Sequence, residues 1–256
     1  MTKTPTYLAH TLYRDPVDHK KLAFLVEELG RLERPSLRIL EVGCGSGNVA
    51  FPLASLGHRV DATDIDATSI EFAQSRNRFP NLRFDVSDAT EIAEDARYDI
   101  IVVSEVLEHL SAPEAALARF REALDPGGVL LMTVANGRGP WKLGQALSPR
   151  RLVKRLVLRA GGSDLVKKVR RKPSRHGETS TFNVGAPFVH RFTLNSFTRV
   201  ASESGFRIER RAHSDGPLTF FPFTRRVRLL ARLDSRLADR LPPALVSGWY
   251  FVLRPG

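Results

Sequence analysis

The sequence predicts an α/β protein: a doubly wound, seven-stranded and mostly parallel sheet with helices on both faces. Three observations predict it. Short apolar runs alternate with helical patterns through the first half of the chain, the rhythm of successive βαβ units. One run, Tyr98-Asp-Ile-Ile-Val-Val-Ser104, is continuously apolar through its middle, as a parallel strand buried on both faces must be. A third stretch, Ile39-Leu-Glu-Val42, stops at Gly43, Gly45 and Gly47 before a helical pattern resumes at Asn48.

Residues 16–32 carry Leu22, Phe24, Leu25 and Leu29 on a helical stripe. The first strand covers Leu37–Val42, and its helix runs from near Gly47 to Leu56. The second strand is His58–Asp64, after which Asp66 and Thr68 are positioned to cap a helix over Ser69–Arg76. The third is Asn81–Val86, followed by a short polar turn of helix, and the fourth is Tyr98–Ser104. Ser111-Ala-Pro-Glu114 reads as a capping box with proline in the first turn. The helix it opens ends before the turn Asp125-Pro-Gly-Gly128, and Val129–Val134 is the fifth strand.

The alternation then breaks. Residues 137–187 show no strand period, and roughly 50 residues of this kind inside a compact domain suggest a lid or binding insertion. Ser148-Pro149 opens a basic amphipathic helix with Leu152, Val153, Leu156 and Val157, which stops at Gly161-Gly162; a shorter one ends in Lys167–Lys172. The sheet pattern resumes with a helix at Leu194–Ser204, closed by Gly205 at its C′ position, and a sixth strand at Phe206–Arg211. A second basic helix should carry Val227, Leu230, Leu233, Leu237 and Leu241 along one side. Trp249–Leu253 is the last strand, expected antiparallel and beside the sixth. The organisation is therefore a core over 1–136, a basic helical insertion or substrate lid over 137–187, and the remainder of the core over 188–256.

Composition bounds the class. The chain has 256 residues, 42% of them hydrophobic, and a single cysteine, Cys44, so no internal disulfide is possible. Its first residues show no apolar h-region, so no secretory signal is expected, and no run approaches the roughly 18 apolar residues of a spanning helix. The expected location is cytoplasmic, with room for peripheral contact with a membrane. The net charge of +11 is unevenly spread. Residues 1–137 hold 14 Lys and Arg against 21 Asp and Glu; 138–187 hold 13 against 2; 188–256 hold 12 against 5. The first half is acidic, and the positive charge belongs to the second.

The glycine turn carries the chemistry. Without Cβ atoms its backbone lets a ligand approach closely, and the N–H groups of the next helix point at that ligand. Its spacing differs from the G-x-G-x-x-G of dinucleotide sites. Preceded by Glu41, the turn resembles motif I of class I methyltransferases that depend on S-adenosyl-L-methionine (SAM). Ser104-Glu-Val-Leu-Glu-His109-Leu110 resembles the corresponding element of the small-molecule enzymes of the ubiquinone-biosynthesis type (methyltransferase type 11). The resemblance covers residues 36–136 strongly, 188–211 weakly, and the insertion not at all. It implies a Rossmann-like methyltransferase fold and SAM as cofactor. It places Gly43, Gly45 and Gly47 against the ligand and Glu41 near its ammonium group. Asp64, 17 residues after Gly47, matches the acid that takes both ribose hydroxyls. Ile65 matches the residue that packs on the adenine, Asp88 and Ala89 those that hold its amino edge, and Ser104 and Glu105 those flanking the methionine end. A carboxylate suits paired hydroxyls because it offers two acceptor oxygens side by side.

His109 and His190 are the candidate catalytic residues, and Trp141 a candidate wall of the acceptor pocket. Methyl transfer from a sulfonium is an in-line displacement that needs alignment and a dry site. A base is required only if the acceptor arrives protonated. No Cys/His cluster suggests a metal. The expected partner is a small-molecule or lipid- or sugar-linked acceptor, with an anionic membrane surface as a further possibility raised by the basic helices. An RNA or DNA substrate is disfavoured: the fourth strand ends Ser104-Glu-Val-Leu, not Asn/Asp-Pro-Pro-aromatic, and no aromatic residue lies among the basic residues of 150–172 to stack a base. A non-catalytic, membrane-associated SAM-binding module is the other alternative.

Overall fold

The computed structural model describes residues 5–13, 15–139, 188–217 and 228–256. Its seven strands are β1 (Arg38–Val42), β2 (Arg59–Asp64), β3 (Leu82–Val86), β4 (Tyr98–Ser104), β5 (Leu124–Ala135), β6 (Phe206–His213) and β7 (Gly248–Pro255). They form one sheet in the order β3-β2-β1-β4-β5-β7-β6. The first five are parallel, and β7 is antiparallel to both neighbours, inserted between β5 and β6. The order reverses between β1 and β4, which is where an open sheet of this kind opens a crevice at its C-terminal edge.

The period of two along each strand divides the core. Ile39, Ile100, Val102 and Leu131 face one side, where α1 (Pro16–Gly30) brings Leu22, Leu25 and Leu29. Phe51 and Leu53 of α2 (Ala50–Ser55) and Ile70 and Ala73 of α3 (Ala67–Arg76) complete that layer. Leu40, Ile101, Val103, Leu130 and Met132 face the other side. There α4 (Pro113–Ala123) packs Leu117 and Phe120, and α5 (Leu194–Glu203) packs Phe197 and Val200, against Phe251 of β7. This is the doubly wound sheet that the alternating pattern predicts.

Several local expectations need correction. The Ser111 capping box does not form: Pro113 takes the first turn of α4, where its missing N–H costs nothing, and the N-cap falls on Ala112, which makes no side-chain bond. No helix forms between β3 and β4, where the chain makes only turns. Residues 125–128 lie within the span of β5: Leu124 pairs with Tyr98 and Val129 with Ile100, so the Pro-Gly-Gly turn is a bulge in the strand. Of the leucine stripe expected on helix α6 (Arg228–Ala238), Leu233 and Leu237 are exposed, Leu230 and Leu241 are half-buried with Leu241 packed on the core, and Val227 lies outside the described residues. Among the described side chains of the helix, Ala231, Asp234 and Ala238 are the buried ones. The close approach is at Gly216, where a Cβ would stand 2.3 Å from Asp234 Oδ1. By contrast Asp66 caps α3 as expected, accepting from Ser69 N–H. Gly205, at φ +79°, lies just past α5 in the left-handed region.

The basic helical insertion expected over 137–187 falls, from residue 140 onward, outside the described residues, and Trp141 falls with it. Its two ends are held together. Gly137 N–H donates to Phe192 O at 2.7 Å, and both Val189 N–H and His190 N–H donate to Glu108 O at 2.9 Å. Among the described residues, no helix is long and apolar enough to cross a membrane.

Candidate functional site

Four strand ends build the site. At the end of β1 the chain turns through Gly43 (φ +73°), Gly45 (φ +51°) and Gly47 (φ +79°). The left-handed region alone favours glycine at each. Gly43 has a second reason, since a Cβ there would come within 2.2 Å of Val106 Cγ2. Thr63 O fixes the turn by accepting from Gly43 N–H (2.7 Å) and Cys44 N–H (2.9 Å). The helical pattern expected at Asn48 becomes regular helix only at Ala50. Asn48 is instead buried, its Oδ1 accepting from Leu12 N–H at 2.9 Å and tying the N-terminal segment to the turn.

Glu41, two residues before the first glycine, is buried, and its Oε2 has no hydrogen-bond partner. Burial, with the negative charge of Asp64 nearby, pushes its pKa up to about 8 against the pull of Lys21 and the Ala50 N–H. A buried acceptor left open beside a glycine cradle is an uncommon state for a carboxylate, and it fits a ligand carrying a cation.

Asp64, at the end of β2, accepts from Gly45 N–H through Oδ2 (2.7 Å) and from Asp66 N–H through Oδ1 (2.9 Å). Each oxygen keeps a further acceptor position, so the side chain is oriented without being used up. Ile65 beside it is 67% exposed, a large aliphatic surface presented to the crevice edge. After β3, Asp88 Oδ1 accepts from Thr90 N–H (2.9 Å) and Thr90 Oγ1 (2.7 Å), bonds that hold its carboxyl below the usual range. Ala89 is buried. At the end of β4, Ser104 Oγ lies 3.0 Å from Thr133 Oγ1, and Glu105 takes a left-handed φ of +58° while donating its N–H to Thr133 O at 3.0 Å. A non-glycine residue held at positive φ marks a position fixed by its surroundings.

Beyond β4 a cavity of about 210 Å³ opens over the ends of β5 and β7. Its lining includes Asp15, Asp18 and Lys21 near the start of α1, Glu105 and Thr133, and Ser214 and Ser247 on the far side. The cavity and the glycine turn thus occupy the two halves of the sheet edge, with Glu105 between them.

The two histidines sit elsewhere. His109 stacks on Phe188, with ring centres 5.0 Å apart. His190 Nε2 lies 3.4 Å from Ser111 O, and its ring stacks on Phe192. Neither lines the cavity.

Two buried charged residues near the site lie outside the residues the sequence singles out. Lys21 is buried, its ammonium 5.1 Å from the centre of the Tyr13 ring. Burial alone would lower its pKa, but Tyr13, Glu105 and Asp18 outweigh that and hold it above the ordinary lysine value. The helical stripe containing Leu22 and Leu25 is the only signal in the sequence, and it marks position 21 as merely a flank. Glu108 is also buried; its Oε1 accepts a short bond from Ala135 N–H, its Oε2 has no partner, and burial raises its pKa to about 7.

Comparison with known proteins agrees with this geometry. A family model described as a methyltransferase domain matches residues 13–210, well over half of the chain. The ubiquinone biosynthesis O-methyltransferase of Cereibacter sphaeroides is 34% identical over 114 residues, covering 43% of this chain and 46% of that protein. The chain spans about half the length of the curated relatives it matches. In fold it is similar to the magnesium protoporphyrin IX methyltransferase of Synechocystis, solved with bound S-adenosylhomocysteine (TM-score 0.52, 18% identity, 93% of this chain and 81% of that one). It is also similar to the [4+2]-cyclase SpnF (TM-score 0.57, 18% identity, 92% and 80%). The glycine turn, the acids at successive strand ends and the family match lead to one assignment: the chain belongs to the class I SAM-dependent methyltransferases.

Proposed function

We propose that this chain transfers the methyl group of SAM to a small-molecule acceptor seated in the cavity over β5 and β7, and that the acceptor is lipid- or sugar-linked. The observation that carries the reading is Glu41: a buried carboxylate with an open oxygen, next to a turn whose first glycine has no room for a Cβ. When bound, the cofactor supplies an electrophilic methyl group on a sulfonium. The protein's part is to hold, align and exclude water.

In this reading Glu41 takes the ammonium of the methionine part, and Gly43, Gly45 and Gly47 let the backbone approach it. Asp64 takes the two ribose hydroxyls with the acceptor positions left by Gly45 and Asp66. Ile65 covers one face of the adenine, and Asp88 and Ala89 hold its edge. Ser104 and Glu105 flank the methionine end at the passage to the acceptor. Lys21, the cation bordering this passage, balances the carboxylates around it and offers its charge to an anionic group of either ligand. Where the acceptor must lose a proton, Asp15, Asp18 and Glu105 border the cavity and are nearer to it than the expected catalytic pair His109 and His190. The relative named as a ubiquinone biosynthesis O-methyltransferase supports an oxygen acceptor.

Isothermal calorimetry with SAM and S-adenosylhomocysteine tests the cofactor half. Both should bind in a one-to-one ratio, and the absence of heat and of any thermal shift with either would overturn the reading. Transfer of a labelled methyl group into lipid- or sugar-linked acceptors, and its absence from small metabolites carrying neither, tests the acceptor half.

A further inference from the structure

We propose that the outward face of α6 docks on an anionic phospholipid bilayer. Its bearing on delivery of a lipid-linked acceptor rests on the function proposed above; the docking itself does not. The inner face of α6 is made by Ala231, Asp234 and Ala238, all buried. Outward stand Leu233 and Leu237, 45% and 49% exposed, beside exposed Arg232 and Arg236. At about 100° per residue these four share an arc of roughly 140°, opposite the buried three. Exposed Arg240 lies in the turn that ends the helix. The acids of the helix do not enter this arc: Asp234 is turned inward, and Asp239, just past the last turn, pairs with Lys20 at 2.8 Å. None of Arg232, Arg236 and Arg240 joins an ion pair among the described residues.

Two aliphatic side chains one turn apart, framed by unpaired guanidinium groups, have the chemistry of an interfacial helix. The leucines enter the boundary of the acyl region while the arginines meet lipid phosphates. Charge and apolarity together select among occupants. A two-fold contact with a second copy would set arginine against arginine. A nucleic acid offers phosphates but nothing that covers the leucines. An anionic bilayer satisfies both.

The placement gives the surface a purpose. The inner face of α6 meets Gly216, next in the chain after the cavity-lining Ser214 and Asp215. On the other side Lys20 Nζ donates to Ser235 O and to Asp239 Oδ1, both at 2.8 Å, while the adjacent Lys21 lines the cavity. A bilayer on α6 would therefore lie beside the cavity wall.

The test is co-sedimentation of the full chain with vesicles of equal parts phosphatidylglycerol and phosphatidylcholine, against pure phosphatidylcholine. The wild type should bind the anionic vesicles only. Arg232→Gln with Arg236→Gln and Arg240→Gln should lower the partition coefficient by about a hundredfold at low salt, three charges each contributing about fivefold. Leu233→Ser with Leu237→Ser should lower it by about tenfold or more, and this loss should persist at high salt, where the electrostatic part is screened. The variants carry the test, because the basic segment 138–187 is common to all the proteins compared. All these side chains are exposed, so the fold should survive, checked by melting temperature and by SAM calorimetry on the same samples. Failure of the wild type to bind, or binding by either variant equal to wild type, would overturn the proposal. Loss of self-association or of RNA binding, with vesicle binding unchanged, would overturn it in favour of that partner. Absence of SAM binding in the wild type would instead strike the methyl-transfer reading and leave the vesicle result standing.

Discussion

Gly45 donates its main-chain N–H to Asp64 Oδ2 at 2.7 Å, joining the glycine turn at the end of β1 to the carboxylate at the end of β2. The bond presets both halves of the proposed cofactor crevice at once. The turn cannot open without releasing the acid, and the acid cannot rotate without losing its hold on the turn.

Replacing Asp64 by Ala should therefore weaken SAM binding by about 1.5–3 kcal/mol, the range for losing hydrogen bonds to a charged group. Because Asp64 also holds Asp66 N–H, the melting temperature should fall slightly as well. Calorimetry of wild type, Asp64→Ala and Asp64→Asn decides it. Equal affinity in all three would remove Asp64 from the ribose site.

At Gly43 two penalties meet, the positive φ and the contact with Val106. Gly43→Ala should destabilise the fold by more than the roughly 1–2 kcal/mol of the left-handed backbone alone. Adding Val106→Ala should restore the steric share and leave the backbone share in place. A denaturant titration of the single and double variants measures both, and no recovery in the double variant would refute the assigned clash.

Stability should fall as pH rises from about 5 to about 8.5. The carboxyls of Glu108 and Glu41 hold their protons more tightly folded than unfolded, with pKa values of about 7 and about 8 against an ordinary 4.5. Between the unfolded and folded values the folded chain binds more protons, and each pH step upward then favours unfolding. Glu108→Gln keeps an acceptor for Ala135 N–H and cannot ionise, so it should melt higher than wild type at the alkaline end and show a flatter profile. A wild-type melting temperature constant across this window would contradict the buried-acid argument.

A Glu41 carboxyl that is mostly protonated at neutral pH must ionise to receive a ligand ammonium. Binding of S-adenosylhomocysteine at pH 7 should accordingly release a proton. Calorimetry in phosphate and in Tris, whose ionisation heats differ, reads that proton directly. Identical heats in the two buffers would place the ammonium elsewhere, and Glu41→Gln should abolish any difference.

The chain alone makes legible whatever is encoded locally. The alternation of strands and helices, the glycine turn, the Asp66 cap and the left-handed Gly205 each depend on a few neighbouring residues. They also fall where the sequence predicts them. The same holds for Glu41, Asp64, Asp88 and Glu105, whose places at successive strand ends are set once the strands are located. Tertiary structure decided the rest. Lys21 and Glu108 are flanks of apolar patterns in sequence, and only tertiary contacts distant in the chain, Lys21 with the Tyr13 ring and Glu108 with Ala135 N–H, accompany their burial. Ser111 loses its capping role because Pro113 takes the first helical position and puts the N-cap on Ala112. The leucines of α6 have a helical period that fits either an inward or an outward face, and periodicity carries no sign. The close approach of Gly216 and Lys20 turned Asp234 in and Leu233 and Leu237 out, a choice made by residues distant in the chain.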